Sequence, residues 1–320
     1  METRLFLGIA DTNYCTFVVV GDSSGEILST GRGGSVNHRY WGVKTARSNL
    51  KRIIEAVGQE SRSKIAGVCF TYKKGHQLTQ EELLPVVAGL VDDTVVQVED
   101  YATSGALGLH SPKERLLLMG SQVGLAVLQS EGGQQHRAQL GELLNAPGRR
   151  IDAQLASWAR WGTSAELADF LKIQELQENG QCLSELAELL DRLSRQGNPW
   201  ALAAASDIAL DLVRLVTRLG KRFSRPDPVI GLYGPLLLGS EFIRQRVQYL
   251  LGLLFPQAEV VRAPLAPAKG AYLSSLLTRK SGAEQEVLTT FYNSARSVMQ
   301  RGWLDFVAES SSSTDRRYCC

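Results

Sequence analysis

One local pattern occurs twice in this chain, and this repetition is the strongest restriction on its fold. Near the start, the apolar run 4–9 leads through the short polar turn ADTNY into a second apolar run at 14–20. Further on, RLLLM at 115–119 and LAVLQ at 125–129 flank another small turn. Runs of this length and composition predict strands. Two units that each begin strand–turn–strand favour a duplicated α/β architecture.

Turn signals and apolar periodicity predict the elements between and after these runs. The first third reads β-β-β-α-β-α-β, and after the segment EGGQQH we expect a long, mainly helical stretch. The predicted strands are 26–31, 64–70, 94–98, 229–233 and 259–261. The predicted helices are 43–57, 81–90, 269–277 and 284–300, with further helical faces starting near 163, 183, 208 and 243.

The order of these elements predicts two lobes with duplicated mixed sheets and a cleft between them. Ligands of α/β folds bind at the carboxyl ends of the strands, where tight turns converge. A single doubly wound sheet is the alternative, which periodicity alone leaves open. We place the domains at 1–105 and 106–308, followed by a disordered tail at 309–320. The helix near 284–300 is a candidate to pack back on the first lobe.

Charge argues against nucleic-acid binding, and hydropathy argues against a membrane span. The 35 Lys+Arg and 33 Asp+Glu residues give a formal net charge of +2, whereas nucleic-acid binding calls for a clustered basic face. The apolar runs are far shorter than the roughly 20 residues of a membrane span. The start METRLFLG lacks the features of a signal peptide. We therefore predict a cytoplasmic protein without nucleic-acid partners or a membrane span.

The cysteines do not predict a metal centre. They stand at positions 15, 69, 182, 319 and 320, contain no C-x-x-C pair and make no ligand spacing with the four histidines. Reduced thiols are typical of cytosolic proteins. We interpret the terminal pair as free thiols in a loose tail, with lipid attachment as the alternative.

A resemblance to a known family rests on five stretches that follow the family's order. They are GGSVNHRYWG, VQVEDYATSGALG, QGNPWALAAASDIALDLVRLV, VIGLYGPLLLGS and RAPLAPAKGAYLSSLL. The chain resembles the BadF/BadG/BcrA/BcrD-type ATPases, and within them the N-acetylglucosamine kinases of the actin/hexokinase/Hsp70 superfamily. The resemblance runs from about Leu5 to about Leu277. It implies a two-lobed actin-like ATPase fold, which is ribonuclease H-like.

The resemblance also assigns residues to the substrate. Asn37 matches the family's sugar-binding Asn, with His38 beside it, and Asp100 matches the catalytic Asp. In phosphoryl transfer to a sugar, such a carboxylate accepts the proton of the attacking hydroxyl. Gly120 and Ser121, at the second turn, are assigned to the substrate side. The alternatives are a strand-end or capping carboxylate for Asp100 and a turn residue for Asn37.

The first nucleotide turn departs from the family pattern, which reads Gly-x-Asp-Gly-Gly-Gly-Thr-Lys-Thr. Ala10 stands at the Asp position, and Asp11, Thr12 and Asn13 stand at the glycine positions, while Thr16 matches the last Thr. Side chains in place of glycine restrict the backbone and narrow the space for a phosphate. The missing Asp removes a carboxylate that would help to hold Mg²⁺. Asp11 is the weak replacement, because on a strand it points to the opposite face.

The other two nucleotide turns also depart from the family. Gly-Thr-Gly-Ser has become Gly120-Ser121-Gln122-Val123, and the adenosine-binding Gly-Gly has become Gly234-Pro235, where the proline has no N–H to donate. Residues 140–142 are a remnant of the family's Gly-Asp-Glu-Gly-Ser segment. Because these changes are concentrated in the nucleotide turns, we predict that the two-lobed fold is retained and that its ATP site is weakened or lost. The alternative is that the alignment of these turns is shifted and that Asp11 takes the role of the family's Asp.

These observations lead to three functional hypotheses. We favour an N-acetylglucosamine-kinase-like pseudokinase, non-catalytic or weakly active, that binds a sugar or a partner protein in the cleft and needs no cofactor. The alternative is an active kinase on N-acetylglucosamine or a related sugar, with Asp100 as general base and with ATP and Mg²⁺ as cofactors. An ATPase activator with an iron–sulfur cluster is disfavoured, because the scattered cysteines follow no ligand spacing. A homodimer is left open.

Overall fold

The computed structural model describes residues 4–12, 15–57, 65–72, 79–90, 95–109, 111–121, 123–131, 133–143, 183–278 and 284–300. The chain divides into two compact units. The described part of unit 1 comprises residues up to Arg115 and those from Leu265 to Gln300. The described part of unit 2 lies between Leu116 and Pro264.

Unit 1 is built on a five-stranded mixed sheet. Its elements are β1 (Leu5–Asp11), β2 (Cys15–Asp22), β3 (Ile27–Gly34), α1 (His38–Val57), β4 (Ile65–Tyr72), α2 (Gln80–Val87), β5 (Val95–Asp100), α3 (Tyr101–Leu107) and, late in the chain, α8 (Ala266–Leu277) and α9 (Glu284–Gln300). The strand order is β3-β2-β1-β4-β5. The first three strands are antiparallel neighbours, and β4 and β5 continue the sheet parallel to β1.

Unit 2 repeats this arrangement. Its elements are β6 (Arg115–Gly120), β7 (Val123–Gln129), β8 (Gln135–Glu142), α4 (Leu183–Arg195), α5 (Pro199–Gly220), β9 (Val229–Tyr233), α6 (Pro235–Gly239), α7 (Glu241–Leu254) and β10 (Glu259–Arg262). The strand order is β10-β9-β6-β7-β8. Counted from the first strand of each unit, both sheets have the order 3-2-1-4-5. The predicted duplication of mixed sheets is therefore confirmed, and a single doubly wound sheet is excluded.

The two faces of the unit 1 sheet bury different helices. The odd-numbered positions of β1, among them Leu7 and Ile9, join a core with residues of α1 and α2. The opposite face carries Gly8, where an added Cβ would meet the backbone of Ala268 and Tyr272 in α8. Only a residue without a side chain permits this contact, so Gly8 fixes the distance between β1 and α8.

The core of unit 2 is formed by aliphatic side chains of its strands and of α4, α5 and α7. Helix α5 begins after Asn198, whose Oδ1 accepts a hydrogen bond of 3.1 Å from Ala201 N, and Pro199 occupies the first helical position. This is a favourable start for a helix, because proline lacks the N–H that would have no partner there. The predicted helical face near 208 is confirmed as its buried side.

Several predicted elements differ from the structure. Helix α1 begins at residue 38 rather than 43 and is kinked at Gly42, whose φ is 74°. Helix α3 and strand β8 were not predicted, and the segment after EGGQQH begins with that strand rather than a helix. The helix predicted near 163 lies outside the described residues. Among the helices that the structure describes, none is long and apolar enough to cross a membrane.

Candidate functional site

Three polar residues lie side by side at the carboxyl edge of the parallel strands in unit 1. Ala10 of β1 pairs with Thr71 of β4, so Asp11 comes next to Tyr72, which itself pairs with Asp100 of β5. Register partners in a sheet point to the same face, which here is the face of α1 and α2. The structure therefore brings two of the predicted residues, the carboxylates Asp11 and Asp100, to one edge.

The Asp11 carboxylate is held inside the protein. The side chain is 1% exposed, and Ser35 Oγ donates to its two oxygens at 2.9 and 2.7 Å. Val36 N also donates to Asp11 Oδ2 at 3.1 Å, and it shares this hydrogen with Thr16 Oγ1 at 3.0 Å. These bonds tie the end of β1 to the segment that precedes α1. Ala10 lies on the opposite face, which is the face of Gly8 and α8.

The turn that follows β1 is closed by its own hydrogen bonds. Thr12 N and Thr12 Oγ1 both donate to Cys15 O at 2.9 Å, and Cys15 N donates back to Thr12 Oγ1 at 3.2 Å. Turns that cradle phosphates present free backbone N–H groups to the ligand. The amides of Thr12 and Cys15 instead bind atoms of the turn, and the predicted Asn13 lies outside the described residues.

Asn37 and His38 stand at the start of α1. Asn37 is fully buried, and its Oδ1 accepts a hydrogen bond of 3.1 Å from Arg39 N, which is a capping contact. Asn37 N donates to Ser35 Oγ at 3.1 Å, so Asn37 and Asp11 bind the same serine. The ring atom His38 Nδ1 is enclosed and has no hydrogen-bond partner among the residues that the structure describes.

Asp100 ends β5 and caps α3. Its Oδ2 accepts from Thr103 N at 3.2 Å and from Thr103 Oγ1 at 3.0 Å. The neighbouring Glu99 belongs to the opposite face of the strand and accepts from Ser104 Oγ at 2.6 Å. The capping role that was the alternative for Asp100 is therefore present.

The remaining predicted residues form a separate group in unit 2. Gly234 has a φ of 95°, and a Cβ there would lie 2.6 Å from Gly120 O, so the ends of β9 and β6 meet backbone to backbone. Ser121, which follows Gly120, is 8% exposed. Pro235 occupies the first position of α6, where a backbone N–H would make no hydrogen bond within the helix, so the N–H that proline lacks is not needed. The proline thus preserves the tight turn.

The residue that the sequence analysis missed is Tyr72. It lies two positions beyond the strand predicted at 64–70, is 1% exposed, and its hydroxyl has no hydrogen-bond partner among the described residues. Burial and the charge of Asp11 raise the pKa of Tyr72 well above its usual value, so the hydroxyl keeps its proton. In the described part of the chain, no three His, Cys, Asp or Glu side chains are grouped so that they could hold a metal ion.

Comparison with known proteins shows the fold. No family model and no curated protein sequence matches the chain. Among solved structures, it is similar to a putative N-acetylglucosamine kinase from Chromobacterium violaceum, with a TM-score of 0.61 and 17% identity over 84% of this chain and 98% of that one. A ROK family glucokinase from Streptomyces griseus, in complex with glucose and AMPPNP, has a TM-score of 0.56 and 15% identity over 86% and 99%.

A third similar structure is a ROK family transcriptional regulator, described as a homologue of the E. coli MLC protein. Its TM-score is 0.54, with 12% identity over 91% of this chain and 80% of that one. At such identities a likeness carries the fold and no more. The chain has a two-lobed α/β fold of the actin-like type, which these solved structures share.

Proposed function

We propose that this protein is a BadF-type, N-acetylglucosamine-kinase-like pseudokinase of the cytoplasm. It binds an amino sugar at the carboxyl edge of the unit 1 sheet and transfers phosphate weakly or not at all. The observation that carries this proposal is the direction of the Asp11 carboxylate, which binds Ser35 and Val36 on the α1 face. Ala10 stands at the position of the family's carboxylate, and its side chain is only a methyl group.

The chemistry of Mg-ATP supports the same proposal. Mg²⁺ is held by carboxylates and water together with the phosphates of the nucleotide. Asp11 already accepts hydrogen bonds from the Ser35 hydroxyl and from Val36 N, and the amides of Thr12 and Cys15 bind within their own turn. The described residues of the first turn therefore do not fit a nucleotide phosphate and its metal ion. By contrast, the sequence keeps the family's residue types at the two sugar-side positions, Asn37 and Asp100.

A role without catalysis is compatible with the fold. One of the similar structures belongs to a protein described as a transcriptional regulator, although others are described as kinases. The fold is thus found in proteins described by different functions. For this chain, binding of the sugar or of a partner protein would be the event that the fold converts into a signal.

The second candidate is an active sugar kinase, and the position of Asp100 favours it. This carboxylate stands at the carboxyl end of β5, at the same edge of the sheet as Asp11. As general base it would accept the proton of the attacking sugar hydroxyl. Asn37 would then bind the sugar, and ATP and Mg²⁺ would be required.

One set of measurements separates the two candidates. The thermal stability of the full chain is recorded with Mg-ATP, with N-acetylglucosamine and with both, because a ligand that binds the folded state raises the melting temperature. The same samples are assayed for ADP release. We expect a shift with the sugar, no shift with Mg-ATP up to millimolar concentration, and no ADP.

The opposite result is equally clear. A shift with Mg-ATP together with sugar-dependent ADP release would establish the kinase, and Asp100→Asn should abolish this release without lowering the melting temperature of the free protein. Glu259→Gln is the matched control for that variant, since Glu259 is an exposed carboxylate on β10 in the other unit. Absence of any shift with N-acetylglucosamine and related sugars would refute sugar binding.

A further inference from the structure

The hydroxyl of Tyr72 is a buried donor with no hydrogen-bond partner among the described residues. The ring packs parallel to that of Phe70, with 6.3 Å between the ring centroids, and the residue is 1% exposed. A buried polar group without a partner destabilises the folded state. A hydroxyl in such a position is therefore expected to bind a water molecule or a polar group of a ligand.

Two aspartates flank Tyr72 along the sheet. Asp11 and Asp100 occupy the strands on either side of Tyr72, at the same level and on the same face. Asn37 is linked to the same edge, because it shares the hydroxyl of Ser35 with Asp11. The edge therefore combines one O–H donor with carboxylate acceptors, all within unit 1.

This combination fits a sugar hydroxyl, which donates one hydrogen bond and accepts others. We propose that Tyr72 is a sugar-binding residue whose hydroxyl donates to one hydroxyl group of the bound sugar, while a flanking carboxylate accepts from that group. The inference rests on the proposed sugar binding and adds the residue that selects the position of one hydroxyl. A site that hydrogen-bonds a substrate hydroxyl discriminates strongly against an analogue that lacks it.

Tyr72→Phe removes this hydroxyl alone, and the affinity for N-acetylglucosamine is measured by calorimetry on the full chain. We expect the Kd to rise by roughly tenfold or more. The melting temperature of the free protein stays the same or increases, because the lost hydroxyl has no hydrogen-bond partner among the described residues. Deoxy analogues of the sugar identify the partner. One of them binds the wild type more weakly but binds Tyr72→Phe as well as the parent sugar does.

Tyr272→Phe is the matched control in the same unit. Tyr272 is equally buried, but its hydroxyl donates to Asp22 O at 2.9 Å, so its loss lowers the melting temperature and leaves the Kd for the sugar unchanged. The inference is overturned if Tyr72→Phe binds the sugar as the wild type does, since the hydroxyl then faces an internal water only. If the wild type binds no sugar, the proposed function fails together with the inference. If Tyr72→Phe unfolds, the wild type's affinities for the deoxy analogues decide, and equal affinity for all of them overturns the inference.

Discussion

Replacement of Asp11 by alanine tests whether this carboxylate is part of the framework or a ligand of a metal ion. The side chain is 1% exposed, its two oxygens share the hydrogen that Ser35 Oγ donates, and Oδ2 also accepts from Val36 N. The alanine variant removes the acceptor of the Ser35 hydroxyl. Val36 N keeps its second acceptor, Thr16 Oγ1 at 3.0 Å.

The expected cost follows from these contacts. Ser35 is 2% exposed, and a buried hydroxyl that loses its acceptor costs about 1–3 kcal/mol. Because Val36 N retains a bond, its contribution to the loss is small. We expect Asp11→Ala to lower the free energy of unfolding by about 2 kcal/mol, which corresponds to a fall of roughly 4–8 °C in melting temperature for a domain of this size.

Urea and thermal denaturation followed by circular dichroism measure this change. The double variant with Ser35→Ala completes a mutant cycle, and we expect it to lose less than the sum of the single variants, because the orphaned hydroxyl is gone. Glu259→Gln serves as the control for loss of an exposed carboxylate and is expected to unfold like the wild type. An Asp11→Ala protein of wild-type stability that loses a Mg-ATP-induced shift would refute the framework role.

Three further predictions concern packing and pH. Gly270→Ala lowers the free energy of unfolding in urea by at least about 2 kcal/mol, since the added Cβ meets the backbone of α3, whereas Gly252→Ala, in open space on α7, increases it by up to about 1 kcal/mol. The Arg39 guanidinium and the Thr79 N–H lower the pKa of Glu82 from 4.5 to about 2. The stability that this carboxylate contributes is therefore present above about pH 4.5 and is lost as the pH falls towards 2. Urea midpoints measured across this pH range should change less in Glu82→Gln than in the wild type. Burial lowers the pKa of Lys269 from 10.5 to about 8, so stability rises between pH 8 and 10.5, and Lys269→Met should remove that rise in calorimetry.

The duplication could be predicted because its signal is local. Strands β1, β2, β6 and β7 are continuous apolar runs joined by short turns, and the repetition of that pattern needs no knowledge of tertiary contacts. Strand β8 was missed because it carries little apolar sequence. Its residues alternate between exposed and half-buried along QHRAQL, as on a strand with one solvated face. Helix α3 was missed because its small residues give no apolar period, and packing against α8 stabilises it.

Positions at the candidate site were easier to predict than bonds. The end of each predicted strand located Asp11 and Asp100 at a carboxyl edge, since parallel strands meet there. The partner of Asp11 is Ser35, 24 residues away, and no spacing in the sequence indicates that contact. The sequence also could not show that the Tyr72 hydroxyl has no hydrogen-bond partner among the described residues, because this depends on which groups the neighbouring elements place around it.

The same side chains that define the candidate site also hold its framework together. Asp11 joins β1 to the start of α1, Asn37 caps α1, and Asp100 caps α3, so each fixes a junction between a strand and a helix. Loss of any of them would disturb binding and folding together, and activity data on these variants alone could not separate the two. Tyr72 is the exception, because its hydroxyl bonds to no described residue and its removal breaks no hydrogen bond of the described framework. A loss of sugar affinity in Tyr72→Phe without a loss of stability can therefore be assigned to a lost contact with the sugar. The same loss in an alanine variant of the carboxylates cannot be assigned in this way, because those variants also disturb folding.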